Sequence, residues 1–129
     1  MADGVVNSRP RTWLRLDGGA LLTSSIALFD VTLQQWWIYP TSFFVPDIFM
    51  IGYLRNSTVG VFVYNAGHSY FLPSLVVLAG WHHALTSACG LIWLGHVGFD
   101  RLMGYGLKYD SGFTSTHLGA LAQGAPQHE

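Results

Sequence analysis

The sequence predicts an all-α integral membrane protein, in which four transmembrane helices form an up-and-down bundle with both termini in the cytoplasm. Of its 129 residues, 50% are hydrophobic and only 10% are charged, whereas an average soluble domain has about 25% charged residues. Four apolar segments follow one another, each close to the ~20 residues that cross a bilayer as a helix. The basic residues flank these segments at alternate ends.

The apolar segments and their links define the bundle. The segments are residues 13–33, 36–54, 58–80 and 82–103. Because the links are very short, consecutive helices must be antiparallel neighbours. Residues 1–12 then form a polar N-terminal tail, residues 13–109 the membrane domain and residues 110–129 a cytoplasmic C-terminal tail. Pro46 and Pro73 should each kink their helix, since proline has no N–H to donate.

The basic residues predict the orientation of the bundle. Lys and Arg accumulate in short cytoplasmic loops, and all six basic residues of this chain lie on one side of a four-span bundle. The opposite boundary carries Trp36, Trp37 and Trp81, and tryptophan favours the headgroup level. The net charge of -1 gives no basic surface for nucleic acid. We therefore expect a multi-pass protein of the cytoplasmic membrane that contacts lipid.

Ionisable side chains within the apolar segments need an explanation, because a charge near the bilayer centre costs a few kcal/mol or more. Counting 1.5 Å per residue from Arg55 places Asp47 about 12 Å and His68 about 20 Å from the cytoplasmic boundary. His96 lies about 8 Å deep and shares a helix face with Asp100, four residues later. We predict that these groups converge in the cytoplasmic half of the bundle.

Two imidazoles with one or more carboxylates suit divalent zinc, iron or manganese. A metal site with an open position lowers the pKa of a bound water to about 7. The predicted metal ligands and catalytic residues are Asp47, His68, His96 and Asp100. Three side chains are predicted to support them without binding the metal, namely Asp17, Tyr64 and Asn65. A purely structural interhelical hydrogen-bond network stays open as the alternative.

A second polar group follows the fourth segment and is predicted to bind the substrate. Its members are Arg101, Lys108 and His117. Gly104 and Gly106 let the backbone turn sharply, which would bring Lys108 and His117 back over the mouth of the bundle. An anionic head group of a lipid could bind there. Anchoring of the fourth helix at the cytoplasmic surface explains the same positive charges.

Several motifs carry a resemblance to a known family. They are residues 15–18, 46–54, 64–70 and 96–109, the last ending in Gly-Tyr-Gly-Leu-Lys-Tyr, and residues 116–118. On these residues the chain resembles a family of small bacterial integral membrane proteins known only as a domain of unknown function. The resemblance spans about residues 13–118. It implies a bacterial inner membrane and no particular activity.

A more distant likeness concerns the candidate ligands themselves. Pro46-Asp47, Gly67-His68-Ser69 and His96-x-x-x-Asp100 are similar to the Pro-Asp, Thr-His-Ser and His-x-x-x-Asp elements of predicted membrane-bound metal-dependent hydrolases. The likeness implies that Asp47, His68, His96 and Asp100 bind a metal in a hydrolase.

Three functions stay open from the sequence. The first is a metal-dependent hydrolase that acts on a lipid or other amphiphile. The second is a non-catalytic accessory subunit of a larger electron-transfer or pigment complex, with His68 or His96 as an axial ligand of haem or pigment. The third is a pathway for protons or small solutes. The partners could be other membrane subunits or further copies of the chain.

Overall fold

The computed structural model describes residues 4–119, and most of them are helical, as the sequence predicts. A 3-10 helix, Val45–Leu54, follows the second α-helix. The α-helices are α1 Ser8–Leu33, α2 Ile38–Ser42, α3 Ser57–Gly67, α4 Phe71–Ala79 and α5 Ala84–Met103. A hairpin of β1 Lys108–Tyr109 and β2 Gly112–Thr116 follows α5.

Helices α1 and α5 pack against each other at two facing glycines. A Cβ on Gly98 would lie 2.7 Å from the carbonyl oxygen of Gly18, and a Cβ on Gly18 would lie 2.5 Å from that of Gly98. Only glycine therefore allows this approach, which places the last turns of α5 directly against α1. Further along the same pair, Phe29 of α1 and Ile92 of α5 form a buried hydrophobic core together with Tyr39 of α2.

The sequence predicts one kinked helix for the second apolar segment, whereas the structure has two short helices there. Helix α2 ends at Ser42, and a 3-10 helix begins at Val45. The break has a physical cause in Pro46, which has no N–H to donate and whose ring would clash with the carbonyl of Ser42. A 3-10 helix of 10 residues is long for this conformation. It presents Asp47 in its first turn.

The third apolar segment is bent rather than straight. Helices α3 and α4 are separated by His68, Ser69 and Tyr70 and meet at 44°. Pro73 lies in the first turn of α4, where a missing N–H costs nothing. As a result, His68 lies at the C-terminal end of α3 instead of in the middle of a helix.

The C-terminal hairpin packs against α3 and against the segment that precedes α1. Gly104 ends α5 in the left-handed conformation, with φ of 91°, and the chain then returns to pair Lys108 with Thr116 in antiparallel register. The backbone N–H of Val6 donates to the carbonyl of His117 over 2.8 Å. The predicted boundary at residue 110 thus falls within this hairpin, and helix α1 begins inside the predicted N-terminal tail. Residues 120–129 lie outside the described part of the chain.

Within residues 4–119, α1 is the one helix that is both long and apolar enough to cross a membrane. Counting the bent pair α3 and α4 as a single span makes the number two. The second apolar segment yields a shorter apolar helical stretch, Ile38–Leu54. Helix α5 has 20 residues, but its C-terminal half carries the polar side chains that form the candidate site.

Candidate metal centre

Four side chains from three elements meet at one point. The 3-10 helix supplies Asp47, the end of α3 supplies His68, and α5 supplies both His96 and Asp100. One ligand atom from each of them lies within 4.8 Å of all the others. The structure therefore brings together the four residues that the sequence proposes as metal ligands. Their roles in binding and catalysis stay predictions.

The spacing of the ligand atoms fits a small divalent cation. The Nε2 atoms of His68 and His96 are 3.3 Å apart. Oδ1 of Asp47 lies 3.3 Å from the first and 3.2 Å from the second, and Oδ2 of Asp100 lies 3.6 Å and 3.5 Å from them. Ligands about 2.0–2.1 Å from a tetrahedral zinc ion are roughly 3.3–3.4 Å apart. The five separations between ligand atoms thus lie on both sides of the separation expected for zinc ligands.

The backbone sets the tautomer of His68. Its Nδ1 lies 3.1 Å from the carbonyl oxygen of Tyr64, one turn earlier in α3, and an N–H at Nδ1 can donate to that oxygen. Nε2 then carries a lone pair that points at the cluster, which is the form of histidine that binds metals. The ring of Tyr64 stacks on the imidazole with centroids 3.9 Å apart. Tyr64 therefore contacts His68 through both its ring and its carbonyl.

His96 is enclosed by aromatic rings. The edges of Phe43 and Phe44 approach its imidazole at centroid distances of 5.4 Å and 6.0 Å. Its Nδ1 is buried and has no hydrogen-bond partner among residues 4–119. All the polar contacts of this imidazole in the described chain are thus made by Nε2, on the side of the cluster.

The cluster opens on one side into a cavity of about 390 Å³. Asp47 and Asp100 line it, and the side chain of Asp47 is 36% exposed against 11% for Asp100. His68 and His96 are fully buried. The rest of the wall is mainly aromatic, with Lys108 and Thr116 as its other polar members. A ligand in this cavity would therefore meet the two carboxylates first.

Arg101 lies behind the cluster rather than at its mouth. The side chain is buried, and its guanidinium donates to the carbonyl oxygens of His68 over 2.5 Å and Tyr105 over 2.8 Å. Arg101 does not line the cavity that holds Asp47 and Asp100. In the structure it connects the end of α3 to the turn after α5, and its predicted contact with substrate stays a prediction.

Lys108 occupies the far wall of the cavity. Its ammonium donates to the carbonyl of Phe113 over 2.6 Å and lies 3.6 Å from the centre of the Phe113 ring. Asn65 fixes its backbone, donating to the Lys108 carbonyl over 2.9 Å and accepting from its N–H over 2.7 Å. Burial lowers the pKa of Lys108, while the charge of Asp100 acts in the opposite direction. Asn65 therefore supports Lys108 rather than any of the four residues of the cluster.

The remaining predicted site residues lie elsewhere. His117 borders a second cavity with Arg101 and Leu107, and its Nδ1 accepts from the backbone N–H of Leu107 over 2.8 Å. Burial and the positive charge of Arg101 lower the pKa of His117. Asp17 is exposed on α1 and does not belong to the cluster.

Trp93 lies beside the cluster but is not among the predicted site residues. The indole of Trp93 donates to the carbonyl of Gly67 over 2.6 Å and stacks on Phe49 at 5.3 Å. It thereby holds the end of α3 next to His68 and contacts the 3-10 helix that carries Asp47. A signal was present in the sequence, since Trp93 and His96 are three residues apart and so share a helix face.

Residues 11–121 match the family described as "Domain of unknown function (DUF4260)". Neither the curated proteins nor the solved structures gave a match. All four residues of the cluster lie within the matched range.

Proposed function

This chain belongs to the DUF4260 family, and we propose that it is a membrane-embedded, metal-dependent hydrolase that acts on a lipid or other amphiphile. The observation that carries the proposal is the convergence of Asp47, His68, His96 and Asp100 at ligand distances. The two carboxylates and the lone pair on Nε2 of His68 face one point, where negative charge is stabilised by a positive charge between them. A divalent cation supplies that charge.

The donor set and its surroundings support catalysis rather than a closed structural site. Four protein ligands complete a tetrahedral shell, so a catalytic water would need a fifth position, which zinc can adopt during catalysis. Here the two histidines are buried, but Asp47 and Asp100 face a cavity of about 390 Å³. A carboxylate that binds a metal through one oxygen keeps the other as a proton acceptor. A bound ion would lower the pKa of a water in the cavity to about 7, and Asp47 is placed to accept its proton.

The exposed surface supports insertion into a bilayer. Apolar side chains are more than half exposed on each of the first three segments, for example Leu28, Ile48 and Phe62. Soluble monomers rarely expose large contiguous apolar patches. We propose that four segments cross the membrane: α1, α2 with the 3-10 helix, the bent pair α3 and α4, and α5. With the basic residues on the cytoplasmic side, both termini lie there.

The geometry favours a bare ion over haem or another large pigment. The carboxylates of Asp47 and Asp100 lie within 3.2–3.6 Å of both Nε2 atoms, so the space beside the imidazoles is filled by charged oxygens. A macrocycle would have to displace them. Carboxylates also suit zinc, iron(II) or manganese better than they suit a haem pocket.

Elemental analysis of the purified protein tests the metal centre. We expect close to one equivalent of a divalent metal per chain in detergent-solubilised protein, and loss of that metal in His68→Ala and His96→Ala. His82→Ala is the matched control, because His82 is exposed and lies outside the cluster. A metal-free wild type that takes up no Zn²⁺, Fe²⁺ or Mn²⁺ on dialysis would contradict the proposal.

Hydrolysis itself is tested on lipids. Metal-loaded protein in nanodiscs made from bacterial lipid extract should release a new water-soluble or apolar product, identified by mass spectrometry. Asp47→Asn should abolish the product, because an amide cannot accept the proton. Equal product from wild type and Asp47→Asn would remove Asp47 from the mechanism, and no product from a fully loaded wild type would exclude these lipids as substrates.

A further inference from the structure

The cavity next to the metal centre contains a buried cation that the cluster does not use. Lys108 is 4% exposed, and among residues 4–119 no carboxylate lies within ion-pair distance of its ammonium. A buried ammonium without a carboxylate partner is unusual, because burial of a charge is costly unless it is paired. The side chain lines the same cavity as Asp47 and Asp100.

We propose that Lys108 and the metal ion together form a two-point site for the oxyanion of a phosphate ester, which is the group that the enzyme hydrolyses. This inference rests on the proposed metal centre. One phosphate oxygen would bind the ion between the carboxylates, and another would accept a hydrogen bond from the ammonium of Lys108. The organic part of the ester would lie against the aromatic wall of the cavity.

The fixed position of Lys108 supports a binding role. Its ammonium is held on the Phe113 ring at 3.6 Å and lies 4.7 Å from the centre of the Tyr64 ring. The Tyr64 ring in turn stacks on the ligand His68 with centroids 3.9 Å apart. Tyr64 therefore contacts both halves of the proposed site. Because Asn65 also fixes the Lys108 backbone, little side-chain freedom is left to lose when an anion binds.

The charges in the cavity call for an anion. A divalent ion and the carboxylates of Asp47 and Asp100 cancel one another, so Lys108 leaves the cavity with one positive charge. Arg101, which has no carboxylate partner within ion-pair distance in the described chain, adds a second charge behind the cluster. A phosphate monoester dianion, or a diester anion together with a hydroxide, would neutralise both.

The position of the charge distinguishes a phosphate ester from a carboxylic ester. The anion held between the ion and Lys108 would be the group nearest to the activated water, and so the group that the water attacks. In a phosphate ester that group is anionic, whereas in a carboxylic ester it is uncharged. In hydrolysis of a phosphate ester, the water oxygen bonds to phosphorus while the ester oxygen leaves. Asp47 would accept one proton of the water and pass it to the leaving oxygen, and the other proton stays on the phosphate product. Lys108 would also stabilise the negative charge that develops on the phosphoryl oxygens.

The apolar wall of the cavity fits the organic part of an amphiphilic ester. Phe44, Met50, Tyr105 and Phe113 line the cavity, and all four are exposed. The polar atoms of the ligand would thus be inside, between Asp47, Asp100 and Lys108, and its hydrocarbon at the rim. This arrangement matches a phosphate at the end of an apolar chain.

The test measures binding of inorganic phosphate to protein loaded with Co²⁺ in dodecyl maltoside. Phosphate should change the visible Co²⁺ spectrum and enhance the relaxation of its ³¹P signal as a direct ligand does. Lys108→Met should keep one equivalent of Co²⁺ but bind phosphate at least about tenfold more weakly, which corresponds to one charge-assisted hydrogen bond. Arg55→Gln is the matched control, because it removes one exposed positive charge that does not line the cavity.

The outcomes separate this inference from the proposed function. Protein that takes up no Co²⁺ overturns the metal centre and this site with it. Protein that takes up Co²⁺ but leaves the ³¹P relaxation unchanged overturns the phosphate site alone, whether or not the Lys108→Met variant folds. Equal phosphate affinity in wild type and folded Lys108→Met also overturns it.

A second comparison identifies the source of the phosphate. If the site takes a lipid phosphate, nanodiscs that contain phosphatidic acid should weaken the apparent affinity for inorganic phosphate relative to nanodiscs of phosphatidylcholine. Equal affinities in the two would assign the site to a water-soluble phosphate ester. The position of the oxyanion between the ion and Lys108 is tested by the Co²⁺ spectrum and the Lys108→Met variant, and this comparison decides only where the phosphate comes from.

Discussion

The imidazoles of His68 and His96 point at each other through Nε2 atoms that are 3.3 Å apart, although 28 positions separate them in the chain. Both nitrogens lie at the same time within 3.3 Å of Oδ1 of Asp47. A hydrogen on Nε2 of His96 could bridge to only one of the neighbouring ligand atoms of His68, Asp47 and Asp100. A divalent cation at that point would contact all four residues.

Removal of the metal should destabilise the protein. Binding to the folded state alone adds about 2.7 kcal/mol at a free ion concentration 100 times the Kd. We therefore expect a chelator to lower the midpoint of thermal unfolding of detergent-solubilised protein, and Zn²⁺ to restore it. The His96→Ala variant should show neither shift. A chelator effect of equal size in that variant would place the stabilising ion elsewhere.

Gly98 should not tolerate a side chain. A Cβ there would contact the backbone of α1 at Gly18, so Gly98→Val should push α1 and α5 apart and cost about 1–3 kcal/mol of overpacking. Because His96 and Asp100 flank this position on α5, metal content should fall as well. Gly112→Val is the matched control, since nothing lies within 4 Å of a Cβ there. Similar unfolding midpoints for the two variants would contradict the close approach of the helices.

Substitution of Arg101 should weaken the binding of the metal rather than the binding of the substrate. Arg101→Lys keeps the charge but cannot donate in the same way to the carbonyls of His68 and Tyr105. Loss of contacts that orient a ligand typically weakens metal affinity about 10–100-fold, so we expect weaker Zn²⁺ binding in competition with a chromophoric chelator. Arg55→Lys serves as the control. Unchanged metal affinity with weaker phosphate binding would instead assign Arg101 to the substrate.

The hydrogen bond between Leu107 and His117 should depend on pH. Burial and Arg101 hold the pKa of His117 below its ordinary value of 6.5. At neutral pH its Nδ1 accepts the Leu107 N–H. In the unfolded chain the imidazole of His117 becomes protonated near pH 6.5, whereas in the folded chain it becomes protonated only at lower pH. The contribution of His117 to stability is therefore complete above pH 6.5 and falls as the pH is lowered.

An NMR titration of the His117 imidazole should give a midpoint below 6.5, with loss of protection of the Leu107 amide at the same pH. In His117→Asn that amide should show no such transition, and a midpoint above 6.5 would contradict the buried environment.

The native Cys89 offers a test of membrane insertion. The side chain is exposed in the isolated chain, so in water it should react with a maleimide within minutes. In the proposed four-span arrangement it faces lipid. A membrane-impermeant maleimide should then fail to label it in vesicles and label it after denaturation. Ser57→Cys, at an exposed helix end, should be labelled when the reagent reaches the cytoplasmic face. Rapid labelling of Cys89 in intact vesicles would exclude insertion of α5.

The identity of the candidate ligands could be read from the sequence for particular reasons. His96 and Asp100 are four residues apart in a helix, so their shared face follows from local geometry alone. Asp47 and His68 are polar groups in apolar segments, and residue counting predicts depths of about 12 Å and about 20 Å from the same boundary. No local pattern in the sequence specified that ligand atoms of all four residues would lie within 4.8 Å of one another.

Arg101 and Lys108 are grouped together by the sequence but occupy different positions in the structure. Sequence position groups them as basic residues after the last apolar segment. In the structure one lies behind the cluster against the carbonyl of His68, and the other lies in the cavity on the Phe113 ring. The difference arises from the turn at Gly104 and the return of the hairpin onto α3, which are set by contacts between distant segments.

The sequence by itself determined the helical class, the positions of the apolar segments and the side chains able to bind a metal, because these depend on composition, hydropathy and spacing within one helix. Only the tertiary structure decided that the second segment breaks after α2 and that the third bends at His68. These breaks let Asp47 and His68 reach α5, where His96 and Asp100 meet them. The physical reason is that proline dictates where a helix can end, whereas the direction of the next segment depends on what it packs against.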